Sequence, residues 1–245
     1  MLIHSPKTIG IVQEILQKNW ENYIKDPYPK DRRMAILKDV HTLSTENIKF
    51  LINEIVRLYA KVYLEVGVFK GGSLLSAALF NTARCIGIDN FSEFKDKNNN
   101  LKTLETNLEK FSLLNINFYN MDYKKAIKKI FNETPSLKID CYFYDGAHNR
   151  EDSITGLEIM SPHLSEKCII IADDTNWAGP REGIKTFLRN HPDFQLEIDI
   201  KSDYSGKKEI KWWNGIMIIS RGYALMSDKE DWRGALQRRI KTWLG

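Results

Sequence analysis

The chain has 245 residues, 42% hydrophobic and 28% charged, and its 36 Lys and Arg against 32 Asp and Glu leave a formal net charge of +4. That length and apolar content bury a substantial core, which excludes disorder as the main state and suits one α/β domain with appended helices. Acids and bases are mixed along most of the chain, so no nucleic-acid surface is indicated. No run of about 18 apolar residues offers a membrane span, and a small-molecule partner is the expectation.

In chain order, residues 8–24 and 44–60 carry apolar side chains at helical spacing, the second opened by a Ser44 or Thr45 cap. They form a helical extension over residues 1–60, expected to cover an acceptor site. From 61 to 173, short apolar runs alternate with longer amphipathic ones, the pattern of βαβ units. Strands are expected at 61–66, 83–89, 116–121, 139–145 and 167–173. Helices are expected near 72–80, 101–114, 123–131 and 149–163, long enough for right-handed crossovers. A helix at 183–191 and strands at 194–200 and 214–220 complete seven strands in one unit spanning 61–245. The patch KDKNNN (95–100) reads as a solvated loop, and 227–244 as an amphipathic helix with cations near its carboxyl end. Cys85, Cys141 and Cys168 lie in apolar runs without metal spacing. With an amino terminus that lacks a signal-like apolar core, they point to buried thiols in a cytoplasmic protein.

The most informative segment is LEVGVFKGGSLLSAAL, in which a strand ends at Glu65, a turn carries Gly67, Gly71, Gly72 and Ser73, and a helix follows. Glycines admit positive φ and close ligand approach, and a helix start offers unpaired N–H groups. Gly72 stands where a triphosphate-binding loop needs lysine, and Val68 and Phe69 break the GxGxxG of dinucleotide folds. The ExGxxxGxS turn instead resembles the first motif of class I S-adenosylmethionine-dependent methyltransferases, over most of residues 60–220. That resemblance implies a Rossmann-like three-layer α/β sandwich with the last strand antiparallel. It also implies that Glu65, Gly67, Gly71 and Ser73 hold the amino-acid end of S-adenosylmethionine.

Strand two ends at Asp89, twenty-two residues after Gly67, where a carboxylate can accept both ribose hydroxyls. Asp122, after strand three, meets the adenine amino group by the same resemblance, or serves as the N-cap of the next helix.

Strand four ends at Asp145 and strand five at Asp173 and Asp174. On neighbouring strands these tips lie roughly 5 Å apart. Three converging carboxylates need protons or a cation, and oxygen ligands favour Mg2+ or a similar ion. Asn176 is close enough in sequence to replace one of them. The set is similar to metal-dependent O-methyltransferases, most nearly the macrocin-like sugar and antibiotic branch, which carries DGxH followed by a paired acid. In catechol-type relatives the last ligand is usually Asn.

His148, three residues after Asp145, takes the general-base position by that resemblance, deprotonating a metal-acidified hydroxyl. The implied acceptor is a glycoside, with catechol methylation and a non-catalytic cofactor-binding module as the alternatives, and homo-oligomers are common in the family. His4, His41, His163 and His191 lack acidic company and read as structural. Trp177 is a candidate wall of the acceptor pocket, Trp212 and Trp213 precede the last strand, and Arg32 and Arg33 are weak candidates for an anionic acceptor.

Overall fold

The computed structural model describes residue 40, residues 42–202 and residues 212–222. The helices expected at 8–24 and 227–244, and His4, Arg32, Arg33 and His41, lie outside the described residues.

The described chain runs α1 (Glu46–Tyr59), β1 (Val62–Val66), α2 (Gly72–Ala78), β2 (Arg84–Asp89), α3 (Lys97–Phe111), β3 (Ile116–Asn120), α4 (Tyr123–Glu133) and β4 (Ile139–Tyr144). It continues with α5 (Arg150–Met160), a 3-10 turn at Ser161–His163, β5 (Leu164–Ala172), α6 (Ala178–Asn190), β6 (Phe194–Ile200) and β7 (Ile216–Arg221). The strands form one sheet in the order β3-β2-β1-β4-β5-β7-β6. Within the described sheet, β7 runs opposite to the other six strands, antiparallel to both β5 and β6.

Two apolar layers follow from the period-2 alternation of the strands. Tyr63, Cys85, Cys141, Phe143, Ile169, Ile171, Ile216 and Ile218 face the core shared with α1 and α2. Leu64, Val66, Ile86, Ile88, Tyr142, Cys168, Ile170 and Met217 face the core shared with α4, α5 and α6. Central strands buried on both faces explain why they read as continuous apolar runs. All three cysteines are free and buried. Among the described residues, no helix is long and apolar enough to cross a membrane.

The expected elements are present, with displaced ends. β5 starts at Leu164, and α3 starts at Lys97, inside the patch expected to be loop. Lys97, Asn98 and Asn99 are solvated, yet Asn100 is buried and Leu104 anchors the helix in the core. Once that contact has nucleated the helix, one further polar turn adds a backbone bond per residue at little cost.

Order reversal between β1 and β4 opens a crevice at the carboxyl edge of the sheet, where open α/β folds place their ligands. Register sets its walls at one height. Gly67 N donates to Ile88 O (3.0 Å), Asp145 N to Val66 O (2.9 Å) and Asp173 N to Tyr144 O (3.2 Å), so the residue after each of these strands bonds to the last or next-to-last carbonyl of its neighbour.

α1 docks on α2 through Asn53, 2% exposed. Its Nδ2 donates to Ser76 O (2.7 Å) and Leu79 O (2.9 Å), carbonyls that the end of α2 leaves without helical partners. Asn53→Ala strands both, and is expected to destabilise the protein by about 1–3 kcal/mol in urea titration. A change below about 0.5 kcal/mol would show that the bond is dispensable.

Candidate active site

A cavity of about 540 Å³ fills the crevice, within the usual range for small-molecule sites. The tips of β1, β2, β4 and β5 line it, together with the 42–44 segment before α1 and the 213–214 turn before β7.

The glycine turn owes its shape partly to the protein itself. Gly67 has φ +92°, and a Cβ there would stand 1.8 Å from the carbonyl oxygen of Asp145. The β1 and β4 tips thus approach too closely for any side chain at this position. Gly71 caps α2 with φ 90°, and neither it nor Glu65 lines the cavity, whereas Gly67 and Ser73 do.

Glu65 is fully buried and accepts from Tyr63 Oη (2.5 Å) and Ser73 Oγ (3.0 Å), which ties β1 to α2 beneath the turn. Glu65 thus supports the turn from below, while Ser73, expected with it at the cofactor, both bonds Glu65 and lines the cavity. Burial pushes the Glu65 carboxyl up to about 8, aided by the Asp89 charge and opposed by its two hydrogen bonds.

Asp89 lines the cavity. Its Oδ2 accepts from Phe69 N (2.7 Å) and its Oδ1 from Phe91 N (2.6 Å), so it locks two residues with left-handed backbones, φ 49° and 56°. Each oxygen keeps a further lone pair for a ligand hydroxyl. Asp122 also lines the cavity and is the N-cap of α4, Oδ1 accepting from Lys124 N and Lys125 N. Of the two roles weighed for it, the N-cap is the one the hydrogen bonds display.

Asp145, His148 and Asp174 bring their ligand atoms within 4.8 Å of one another. His148 Nε2 lies 2.6 Å from Asp174 Oδ2 and 4.0 Å from Asp145 Oδ1, while Nδ1 faces Glu93 at 3.7 Å. Asp173, expected with them, falls outside that 4.8 Å grouping; its Oδ1 accepts the Asp174 N–H at 3.0 Å, which leaves its other oxygen for a ligand. Asn176 does not substitute either. Its amide binds the Ser202 carbonyl and hydroxyl, and its Oδ1 accepts from Ser202 N.

Burial raises the Asp145 carboxyl well above the usual range, reinforced by Asp173, Asp174, Glu65 and Asp89. Burial and then Asp174 raise Asp173 likewise. A third of the Asp145 side chain stays accessible through the cavity, so this is the desolvation of a cleft that an ion can enter. The Asp174 hydrogen bond raises the His148 imidazole, against burial and with help from the Asp174 and Glu93 charges. Carboxylate oxygens suit a hard divalent cation, whose charge would replace the protons.

Several site residues carry no sequence signature. Asn214 donates from Nδ2 to Asp174 Oδ1 at 2.6 Å. Arg181 holds Thr175 O through Nε (2.6 Å) and grips Asp199 with both terminal nitrogens, bracing the loop after β5. Phe69 and Phe94 pair at 4.6 Å beside the cavity. An Asn-Gly pair signals a turn, but nothing local marks Asn214 as the partner of an aspartate forty residues away.

Trp177 sets its ring edge-on to His148 at 4.6 Å, Trp213 lines the cavity and Trp212 is core. His163 stacks on Phe131 and His191 bonds Glu158, the structural placements expected of them.

Glu65 yields a pH test. Its folded-state value, near 8 against 4.5 ordinarily, means that the native state binds the extra proton between those values, so stability falls as pH rises through that window. Glu65→Gln stays neutral throughout. The stability of the unmodified protein minus that of the variant should fall by up to about 1.4 kcal/mol per pH unit from pH 5 to 8 in denaturant titrations. Parallel curves would contradict this assignment.

Residues 64–175 match the family model described as a methyltransferase domain. No curated protein sequence matches the chain. Among solved structures, the Bacillus cereus O-methyltransferase in complex with S-adenosylhomocysteine superposes with TM-score 0.62 at 16% identity, covering 88% of this chain and 100% of its own. The Streptomyces achromogenes O-methyltransferase TomG, involved in tomaymycin synthesis and bound to S-adenosylmethionine, gives 0.59 at 15%, covering 84% and 98%. A Geobacter sulfurreducens methyltransferase gives 0.57 at 16%, covering 83% and 96%. At such identities the likeness is one of fold, and the segment that builds most of the cavity, residues 64–175, is the one similar to the methyltransferase-domain model.

Proposed function

We propose that the chain is an S-adenosylmethionine-dependent, divalent-metal-dependent O-methyltransferase acting on a sugar hydroxyl of a glycan precursor or a glycosylated natural product. The observation that carries the reading is the Asp145, His148 and Asp174 group, set at the strand tips of a methyltransferase domain and open to its cavity. The structural neighbours bound to S-adenosylhomocysteine or S-adenosylmethionine support the choice of cofactor. The glycoside acceptor rests on the macrocin-like DGxH and paired-acid pattern at Asp145, His148, Asp173 and Asp174.

Asp89 and Asp122 would hold the nucleoside part of the cofactor, with the Gly67 turn at its other end. Asp145 and Asp174, with the remaining oxygen of Asp173, would hold the cation. When bound, S-adenosylmethionine supplies the sulfonium methyl and the cation supplies charge that acidifies a hydroxyl. His148 accepts the hydroxyl proton at an imidazole nitrogen, and Asp174 and Glu93 on either side stabilise the imidazolium. Trp177 and the Phe69–Phe94 pair restrict water around the reacting oxygen. Most of the acceleration then comes from positioning and charge.

Calorimetry tests the assignment. S-adenosylhomocysteine should bind metal-free protein, and Mg2+ should follow. Asp145→Asn and Asp174→Asn should each weaken Mg2+ at least about tenfold and leave nucleoside affinity within about threefold. His148→Gln should bind both normally and lose about 10²–10⁴-fold in kcat on a glycoside acceptor. Nucleoside binding without Mg2+ uptake would remove the metal mechanism, absence of nucleoside binding would remove the cofactor, and turnover of catechols but not glycosides would overturn the acceptor.

A further inference from the structure

Asp174 is held in an uncommon way. It has φ 54°, a left-handed backbone that a non-glycine residue adopts only under outside constraint. Two side chains grip its carboxylate from opposite sides, His148 Nε2 at Oδ2 and Asn214 Nδ2 at Oδ1, both at 2.6 Å. The backbones are joined as well, since Asn176 N donates to Asn214 O at 2.6 Å.

Asn214 and Gly215 take φ 62° and 75°, the pair of positive values that Asn-Gly turns favour, so the backbone alone accommodates Asn here. The cost lies in the Asn214 side chain: its Oδ1 is buried with no hydrogen-bond partner among the described residues, an arrangement that costs about 1–3 kcal/mol. Turning the amide over would satisfy nothing, because Oδ1 would then meet Asp174 Oδ1, acceptor against acceptor. Glycine at this position would take the same backbone without the buried oxygen. The remaining gain is the hydrogen bond to Asp174.

We propose that Asn214 is a positioning residue for metal binding: by holding Asp174 Oδ1 it turns Oδ2 toward Asp145 and His148 and fixes Asp174 as a cation ligand. This inference rests on the metal-binding reading above. It assigns the turn before β7, outside the matched methyltransferase segment, a part in assembling the site.

The test compares Asn214→Gly and Asn214→Ala with the unmodified full-length protein, using Mn2+ as the probe on S-adenosylhomocysteine-loaded samples. Bound Mn2+ is read from the loss of the free-ion electron paramagnetic resonance signal, and fold from thermal unfolding. Asn214→Gly keeps the left-handed backbone and removes the orphaned oxygen while losing the bond to Asp174, so its melting temperature should stay close to that of the unmodified protein. Its Mn2+ affinity should nevertheless fall about 10–100-fold, with nucleoside affinity unchanged. Asn214→Ala should lose Mn2+ affinity similarly and also melt lower. If Asn214→Gly binds Mn2+ like the unmodified protein, Asn214 is only a turn residue and the proposal is overturned. If the unmodified protein itself takes up no Mn2+, the metal-binding reading fails first and takes this inference with it.

Discussion

Like charge gathered at the strand tips is the constraint on which the rest of the site depends. Asp145, Asp173 and Asp174 end two adjacent strands, Asp89 ends a third, and Glu65 lies buried beneath them. Burial and then mutual repulsion raise the Asp145 and Asp173 carboxyls, which favours protons on them where no cation is bound. An enzyme gains from such a concentration of charge only if a cation replaces those protons. The proposed reaction, the role of His148 and the positioning role of Asn214 all follow from that replacement.

Holding several acids at one edge also demands backbone constraint. Register puts the first residue after each of β1, β4 and β5 at one height, and the closeness of β1 to β4 leaves no room for a side chain at Gly67. Phe69, Asp174 and Asn214, which line the cavity, and the core residue Phe91 all take left-handed backbones. Each is tied by a nearby bond: Asp89 accepts from Phe69 and Phe91, and Asn214 donates to Asp174. Arg181, 7% exposed, supplies the heavier brace from α6 to the loop after β5 and the end of β6. Strain concentrated where ligands bind, and held by surrounding bonds, is the usual price of preorganisation.

The sheet was legible in the sequence because its central strands are apolar on both faces and finish in acids or glycine, so strand and tip announce each other. The antiparallel last strand came from family resemblance. Element ends were less legible: α3 begins in polar residues whose local propensity says loop, and only the packing of Leu104 shows that the helix reaches back to Lys97. Within the site, Asp145, Asp173 and Asp174 were readable as one set of acids with His148 beside them, because short spacings and adjacent strands bring these positions together. Glu65 was visible as a motif position, but its turn inward to Tyr63 and Ser73 depends on tertiary packing. Asp173 and Asn176 divide from Asp174 by side-chain direction, which spacing in ADDTN does not encode. Asn214 and Arg181 act across loops, through partners that no local pattern identifies.

The central claim, that the carboxylates at the tips of β4 and β5 form a divalent-cation site, is tested most directly by anomalous diffraction from crystals grown with S-adenosylhomocysteine and Mn2+. The account predicts one strong anomalous peak in the cavity, at coordination distance from carboxylate oxygens of both Asp145 and Asp174. A crevice with the nucleoside bound but no peak beside these residues, or with His148 still closed on Asp174 at high Mn2+, would contradict it.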